Sequence, residues 1–286
     1  MFVIMTGPGV EDHWQEVCGE DLPEPRRRTG ALRWDDLPDT PETRTKLEAA
    51  AETLGADLFF FEEGLPSAAG LRRAYFDMDS TLIQNECIDD MAAFYGVGEE
   101  VAEITRLAME GHLPFSENLR RRVRLLAGAP YDVVTKTIGG IRYTPGVEDL
   151  IGFLRRHGVE CFIVSGGFRE IALTVAAHLG MTGVITNELV VDDGRLTGDV
   201  TGPAGGDILD ADGKRRALEI LTAAVGAKRS ETLAAGDGAN DLRMVGAAGL
   251  GVAFHAKPVL ASAAKLTVRR GGLDAIVPVF EEAWLE

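Results

Sequence analysis

Cysteine is scarce in this 286-residue chain: only Cys18, Cys87 and Cys161 are present. Three scattered thiols are too few for a disulfide framework and lack the paired spacing of a zinc site, so they read as reduced. No apolar run approaches the roughly 20 residues that a bilayer-spanning helix needs. The N-terminal MFVIM is followed by polar and acidic residues and lacks the basic start and long apolar core of a signal peptide, so the expected compartment is the cytoplasm. Basic charge is short as well, with 29 Lys and Arg against 45 Asp and Glu, a balance of −16. That field repels nucleic acid and anionic membranes, and neither is expected as a partner. It also opposes a phosphate ligand, so any phosphate site must bring its own positive potential from a metal, a lysine or helix N-termini.

What is present fits a folded chain, with 45% hydrophobic and 26% charged residues. The length accommodates one large unit or two smaller ones, and two are expected, at 1–70 and 71–286. From residue 71 onward short apolar runs alternate with longer helical periods, the pattern of βα units around a parallel, Rossmann-like sheet. AYF at 74–76, ECFIV at 160–164, ETLAA at 231–235 and LGVAF at 250–254 read as buried strands. The first three run directly into polar turns, DMDST, SGG and GDGAND. In open parallel sheets ligands gather at the carboxyl ends of strands, so these turns mark one candidate site.

Residues 87–142 show helical periods without a comparable strand, which suggests a helical cap inserted after the first strand and set above the strand ends. NELVVDDGRLTGDVTG at 187–202 reads as a hairpin appended to the sheet. Residues 1–70 differ in kind: FVIM, a Pro- and charge-rich stretch at 11–42, a helix near 42–54 and the strand-like DLFFF suggest a small α/β accessory unit. Within it PEPRRR at 23–28 reads as a solvated loop rather than an anion site.

Asp77 and Asp79 flank one residue just after a strand, so both carboxylates leave one tight turn. Such a pair suits a metal, an acid/base couple or both, although D-x-D also occurs in ordinary solvated turns. In GDGAND, Asp237, Asn240 and Asp241 offer hard oxygen ligands suited to Mg²⁺; a helix-capping Asp-Gly turn would look the same. Ser165, Gly166 and Gly167 precede a helical period and offer a hydroxyl and unhindered N–H groups to a phosphate. Lys214 opens a further helix; taken alone it is a surface lysine.

Together, and in this order, the four elements resemble the motifs of the haloacid dehalogenase superfamily: FDMDST, Ser165, Lys214 and GDGAND. Within it FDMDSTLIQNECID, AMEGHLPFSENLRRRV and IVSGGF are similar to the phosphoserine phosphatases over about 74–280. The resemblance implies Asp77 as nucleophile and Asp79 as general acid/base. It implies Mg²⁺ held by the Asp77 carboxylate, the Asp79 carbonyl and the Asp237 carboxylate. Phosphate oxygens would be held by Ser165, the Gly166 N–H, Lys214 and Asn240, with Asp241 orienting the metal shell and Lys214.

Glu86 would then meet the substrate ammonium and Arg122 its carboxylate, with Met109 and Phe115 as walls from the cap. The implied reaction is hydrolysis of O-phospho-L-serine through an aspartyl-phosphate, the last step of serine biosynthesis. Phosphohomoserine or a sugar phosphate is the nearest alternative substrate, and a Mg²⁺- and phosphate-binding regulatory module without turnover is the alternative outside catalysis. The size of the chain is compatible with a homodimer. Arg122 lies in RRR at 120–122, which helical periodicity alone would leave as a solvated face. Cys87 stands where relatives often carry threonine and reads as a small buried side chain. His112, His157, His178 and His255 show no spacing of a triad or metal site.

Overall fold

The structure, a computed structural model, describes every residue except 20, 110–113 and 286, and at 107–109 it describes the backbone alone. The chain begins with β1 (Phe2–Thr6), α1 (Val10–Cys18), β2 (Arg26–Arg28), β3 (Ala31–Trp34), α2 (Pro41–Leu54) and β4 (Asp57–Phe61). The four strands form an antiparallel sheet in the order β2-β3-β1-β4. Thr40 starts α2 by accepting a hydrogen bond from the Thr43 N–H, Pro41 occupies its first turn, and Gly55 ends it in the left-handed region at φ 63°.

Strand side chains alternate between faces, and both faces of this sheet are covered. Val3, Met5, Leu32 and Trp34 pack under the helices against Trp14 and Leu47, while Ile4 and Phe59 join the core of the rest of the chain. The stretch at 11–42, read from sequence as Pro- and charge-rich, thus contains a helix and two strands. PEPRRR is a loop only over residues 23–25. Arg26–Arg28 is an edge strand, and Arg26 and Arg28 each lie 6.0 Å from the centre of the Trp284 ring, near the far end of the chain. A run of three arginines hides strand alternation, because the surface that their stems cover is remote in sequence.

The second sheet begins with β5 (Arg73–Phe76). The cap helices α3 (Cys87–Tyr95), α4 (Gly98–Met109), α5 (Phe115–Arg124) and α6 (Asp132–Gly139) follow. Then come α7 (Val147–Arg156), β6 (Glu160–Phe168), α8 (Arg169–Leu179), β7 (Gly183–Asp192), β8 (Arg195–Thr201), α9 (Ala211–Ala224), β9 (Thr232–Gly236), α10 (Leu242–Ala247), β10 (Leu250–Phe254), α11 (Pro258–Ala261) and β11 (Leu266–Val268). The sheet order is β11-β10-β9-β5-β6-β7-β8, parallel except for β8. Because β5 pairs with both β6 and β9, with Phe76 opposite Ile163 and Ala235, the three polar turns emerge side by side.

The expected hairpin begins earlier than read. β7 starts at Gly183, and its first half belongs to the parallel sheet through pairs with β6. Its outer strand also supports the cap: Gly128 N–H donates to Leu196 O at 2.8 Å and Leu196 N–H to Ala129 O at 2.9 Å. The two crossings between sheet and cap run side by side, joined by Thr144 N–H to Leu82 O at 3.0 Å and Gln84 N–H to Arg142 O at 2.8 Å. Buried Asn85 fastens this neck, accepting from Arg142 N–H at 2.8 Å and donating to Asp90 at 2.7 Å and Gly140 O at 3.2 Å. No helix among the described residues is long and apolar enough to cross a membrane.

The first sheet meets the rest of the chain through the buried Asp57 carboxylate, and the segment after it through half-buried Glu282. Asp57 accepts from the N–H groups of Arg269 at 2.7 Å and Gly271 at 2.8 Å. Nearby, Glu282 accepts from Ser67 Oγ at 2.5 Å, Ala68 N–H at 2.8 Å and Ala69 N–H at 3.1 Å. Burial works to raise the Glu282 carboxyl, but these three donors outweigh it and hold it down at about 2. A depressed carboxyl stabilises the fold above its unfolded value of about 4.3, and the contribution is lost as pH falls toward 2. Glu282→Gln should therefore cost about 1–2 kcal/mol at pH 7, with the gap to the parent closing between about pH 4 and 2. Thermal unfolding at pH 7 and pH 3 checks this; a gap independent of pH contradicts it.

Candidate active site

Asp77 leaves β5 with its N–H bonded to Ala235 O of β9 at 3.0 Å, and its own Oδ1 accepts from Met78 N–H at 2.7 Å. The chain then winds tightly through Met78–Leu82, with Ser80 in the left-handed region at φ 55°. Two contacts support that conformation: Ser80 N–H donates to Asn85 O at 3.2 Å and Ser80 Oγ to Glu86 Oε1 at 2.8 Å. The turn brings Asp77, Asp79 and Glu86 to one cavity of about 730 Å³, shared with Ser165, Gly166, Gly167, Asp237 and Asn240 from the strand ends and with Phe115 and Arg122 from the cap.

Lys214, in the first turn of α9, is fully buried behind this cavity. Its ammonium donates to Asp77 Oδ2 at 2.6 Å and Asp241 Oδ1 at 2.7 Å. Burial opposes the ammonium charge, but Asp241 and Asp77 outweigh it and hold Lys214 protonated above the usual lysine range. Burial and the Asp77 charge in turn push Asp241 upward against the pull of Lys214. The two tendencies conflict, and the short contacts decide for one ammonium shared between two carboxylates. Lys214 thus touches the back of Asp77 and does not open onto the cavity.

At the end of β9, Asp237 joins Asp77 and Asp241 in a cluster whose oxygens lie within 4.8 Å of one another. Gly236 permits it: a Cβ there would meet Asp241 Cγ at 2.4 Å. Burial, then Asp77 and Glu86, push Asp237 up to about 7. Hard oxygen donors crowded in this way, two buried and Asp237 half-buried, suit Mg²⁺.

At the end of β6, Ser165 Oγ accepts from Gly167 N–H at 3.0 Å, and the Gly166 carbonyl accepts from Asn187 Nδ2 at 2.8 Å. Asn187 is fully buried on β7, and its Oδ1 accepts from Leu209 N–H at 2.7 Å. It fixes the Ser-Gly-Gly turn, a role that a single asparagine inside a strand pattern does not advertise. Gly166 also admits the cap: a Cβ there would lie 2.6 Å from Phe115 Cζ. Lys257 is a second residue missed from sequence. It follows β10, donates its N–H to Asp237 O at 3.0 Å and lines the cavity.

Arg122 turns inward while Arg120 and Arg121 are exposed, as the 100° helical step requires. Burial lowers the Arg122 pKa, and Asp89, Glu86 and Asp79 raise it in part. Its Nε is buried without a hydrogen-bond partner among the described residues. The Met109 side chain and His112 lie outside the described residues. His157, His178 and His255 bond separately to Phe153 O, Glu148 and Gly271 O. For Asp79, burial first and Glu86 next raise the carboxyl to about 8. Buried Cys87 donates its thiol to Asp79 Oδ1, with sulfur and oxygen 2.9 Å apart.

Comparison with known proteins identifies the family. A family model of haloacid dehalogenase-like hydrolases matches residues 74–245, and the chain belongs to that family. Its sequence is 45% identical over 239 residues to a phosphoserine phosphatase of Streptomyces coelicolor, covering 84% of this chain and 57% of that protein. The chain therefore spans little more than half the length of that relative. A crystal structure of a haloacid dehalogenase family hydrolase from Salmonella enterica serovar Typhi matches with a TM-score of 0.84 at 27% identity, covering 98% of this chain and 99% of that one. A phospho-aspartyl intermediate analogue of phosphoserine phosphatase matches with a TM-score of 0.68 at 40% identity, covering 74% of this chain and 99% of that one.

Removing one partner from a buried ion pair strands the other charge. Lys214→Met should lower the unfolding free energy by about 3–5 kcal/mol, measured by denaturant titration. A loss below about 1 kcal/mol, the scale of an exposed pair, would contradict the shared-ammonium arrangement.

Proposed function

We propose that this chain hydrolyses phosphoserine. The observation that carries the reading is the convergence, on one cavity, of a phosphate-sized cradle, a paired carboxylate turn, an acidic side chain and an inward arginine. Phosphoserine carries a phosphate, an ammonium and a carboxylate. The Ser165–Gly167 turn and Asn240 complement the first, Glu86 the second and Arg122 the third. The buried Arg122 Nε, without a partner among the described residues, supports a role in receiving a carboxylate, which pairs with guanidinium in fixed geometry. Phe115, in van der Waals reach of Gly166, closes the cap side of the pocket and excludes water from the phosphate. The similar phosphoserine phosphatases, one of them solved as a phospho-aspartyl analogue, support the same substrate class and an aspartyl-phosphate route.

In this reading Asp77 is the nucleophile. Met78 N–H and the Lys214 ammonium fix both of its oxygens, which orients the carboxylate before substrate arrives. Attack on phosphorus breaks the bond to the serine oxygen, and Asp79 gives that oxygen its proton. Asp79 then takes a proton from the water that attacks the aspartyl-phosphate, releasing phosphate and restoring Asp77. Asp77, the Asp79 carbonyl and Asp237 would hold Mg²⁺, with Asp241 behind them. The bound ion supplies positive charge to the phosphate oxygens. Lys257 and Arg122 bring cations to the cavity lining, which also carries Asp77, Asp79, Glu86, Asp89 and Asp237, so the positive potential that a phosphate needs would come chiefly from the bound ion.

Steady-state phosphate release from L-phosphoserine tests the reading. Arg122→Ala should raise KM for phosphoserine at least about 30-fold, the worth of a charge-assisted pair of about 2 kcal/mol. KM for a phosphomonoester lacking the carboxylate, such as phosphoethanolamine, should change less than about threefold. Equal changes for both substrates, or a parent enzyme that does not prefer phosphoserine, would overturn the substrate assignment.

A further inference from the structure

Asp79 has two carboxyl oxygens in unlike surroundings. Oδ1 points into the protein and receives the Cys87 thiol at 2.9 Å. Oδ2 points the other way, toward the phosphate cradle. A Cβ built on Gly167 would lie 3.4 Å from Asp79 Oδ2 and 3.3 Å from Ser165 Oγ, so this oxygen and the cradle hydroxyl border the same small space. Cys87 is the first residue of α3, is itself fully buried and sits beneath the cavity wall formed by Glu86, Ile88 and Asp89.

We infer that Cys87 is a positioning residue for Asp79: its S–H holds Oδ1 as an acceptor, so that the transferable proton of the carboxyl resides on Oδ2, the oxygen facing the phosphate cradle. The inference rests on the proposed acid/base role of Asp79 and goes beyond it by assigning the two oxygens separate tasks. A neutral carboxyl carries one O–H, and its carbonyl oxygen is the better acceptor, so a donor held against Oδ1 favours the proton on Oδ2. If the proton sat on Oδ1, O–H and S–H would compete for the same line between the two atoms. A donor on the protein side also fixes the side-chain torsion, aiming Oδ2 at the departing oxygen before substrate binds. Only a neutral thiol can do this. Cys87 is fully buried, and burial disfavours the charged thiolate, which leaves the donor form. The same burial makes Cys87 a poor nucleophile, which separates this role from thiolate chemistry.

The position calls for a small donor of S–H or O–H type, and that gives the test its form. With phosphoserine and Mg²⁺, Cys87→Val, which fills the space without a donor, should lower kcat about 5- to 10-fold, the scale of one lost neutral hydrogen bond. KM should stay within about twofold, because the thiol contacts no substrate atom. Cys87→Ser and Cys87→Thr, which restore a donor, should recover kcat to within about threefold of the parent. Thermal unfolding of all three variants separates this pattern from simple destabilisation, since a packing role would follow side-chain volume rather than donor content. Asp79→Asn, assayed in parallel, separates the two layers of the argument. Loss of activity in Asp79→Asn with equal kcat for Cys87→Val and Cys87→Ser would overturn the positioning role and leave the acid/base role standing. Full activity in Asp79→Asn would overturn both.

Discussion

One ammonium group between two carboxylates organises the catalytic end of this molecule. Lys214 is wholly buried, and its contacts of 2.6 Å to Asp77 and 2.7 Å to Asp241 tie three separate chain segments together: the turn after β5, the start of α9 and the turn after β9. Without that positive charge, the parallel pairing of β5 with β9 would bring two buried acidic groups against each other. With it, Asp77 is fixed from behind while its front faces the cavity. Asp237, the third member of the acidic cluster, remains on the open side, where a divalent cation and a phosphate would meet it.

The rest of the site follows from this fixed point in two layers. The strand ends supply groups held by backbone geometry: the Asp77–Asp79 turn, the Ser165–Gly167 turn pinned by Asn187, and the Asp237–Asp241 turn that needs Gly236 for space. The cap supplies groups held by helix packing, Phe115 and Arg122 among them. Its attachment through the Asn85 neck and the edge of β8 gives it a defined seat over the strand ends. Reaction chemistry is assigned to the first layer and substrate choice to the second, which lets the cap vary without disturbing Asp77.

Much of this arrangement is legible in the sequence because the key residues stand in short polar turns directly after apolar runs. Strand-end turns of a parallel sheet converge, so the sequence alone groups Asp77, Ser165 and Asp237. Other features were hidden for identifiable reasons. Arg122 shares a run with Arg120 and Arg121, and composition cannot tell which of three adjacent arginines turns inward; only the family resemblance singles out Arg122, and the helical phase relative to the cap core turns it inward. Asn187 and Lys257 act partly through backbone contacts made across the fold, which no local pattern encodes. Cys87 was read as a small buried side chain. It is buried, and its thiol also meets Asp79, a contact invisible from spacing alone. In the first part of the chain, β2 is obscured because its arginines lie over Trp284, near the opposite end. The early start of β7 was missed because its parallel and antiparallel halves are continuous.

The central claim is that Asp77 carries the phosphoryl group between substrate and water. Acid quenching within the first turnover, with excess L-phosphoserine and Mg²⁺, followed by peptide mapping, tests this most directly. The account predicts a phosphoryl adduct on the peptide containing Asp77, absent from Asp77→Asn. Phosphate release without that adduct, or an adduct mapped to another residue, would contradict it.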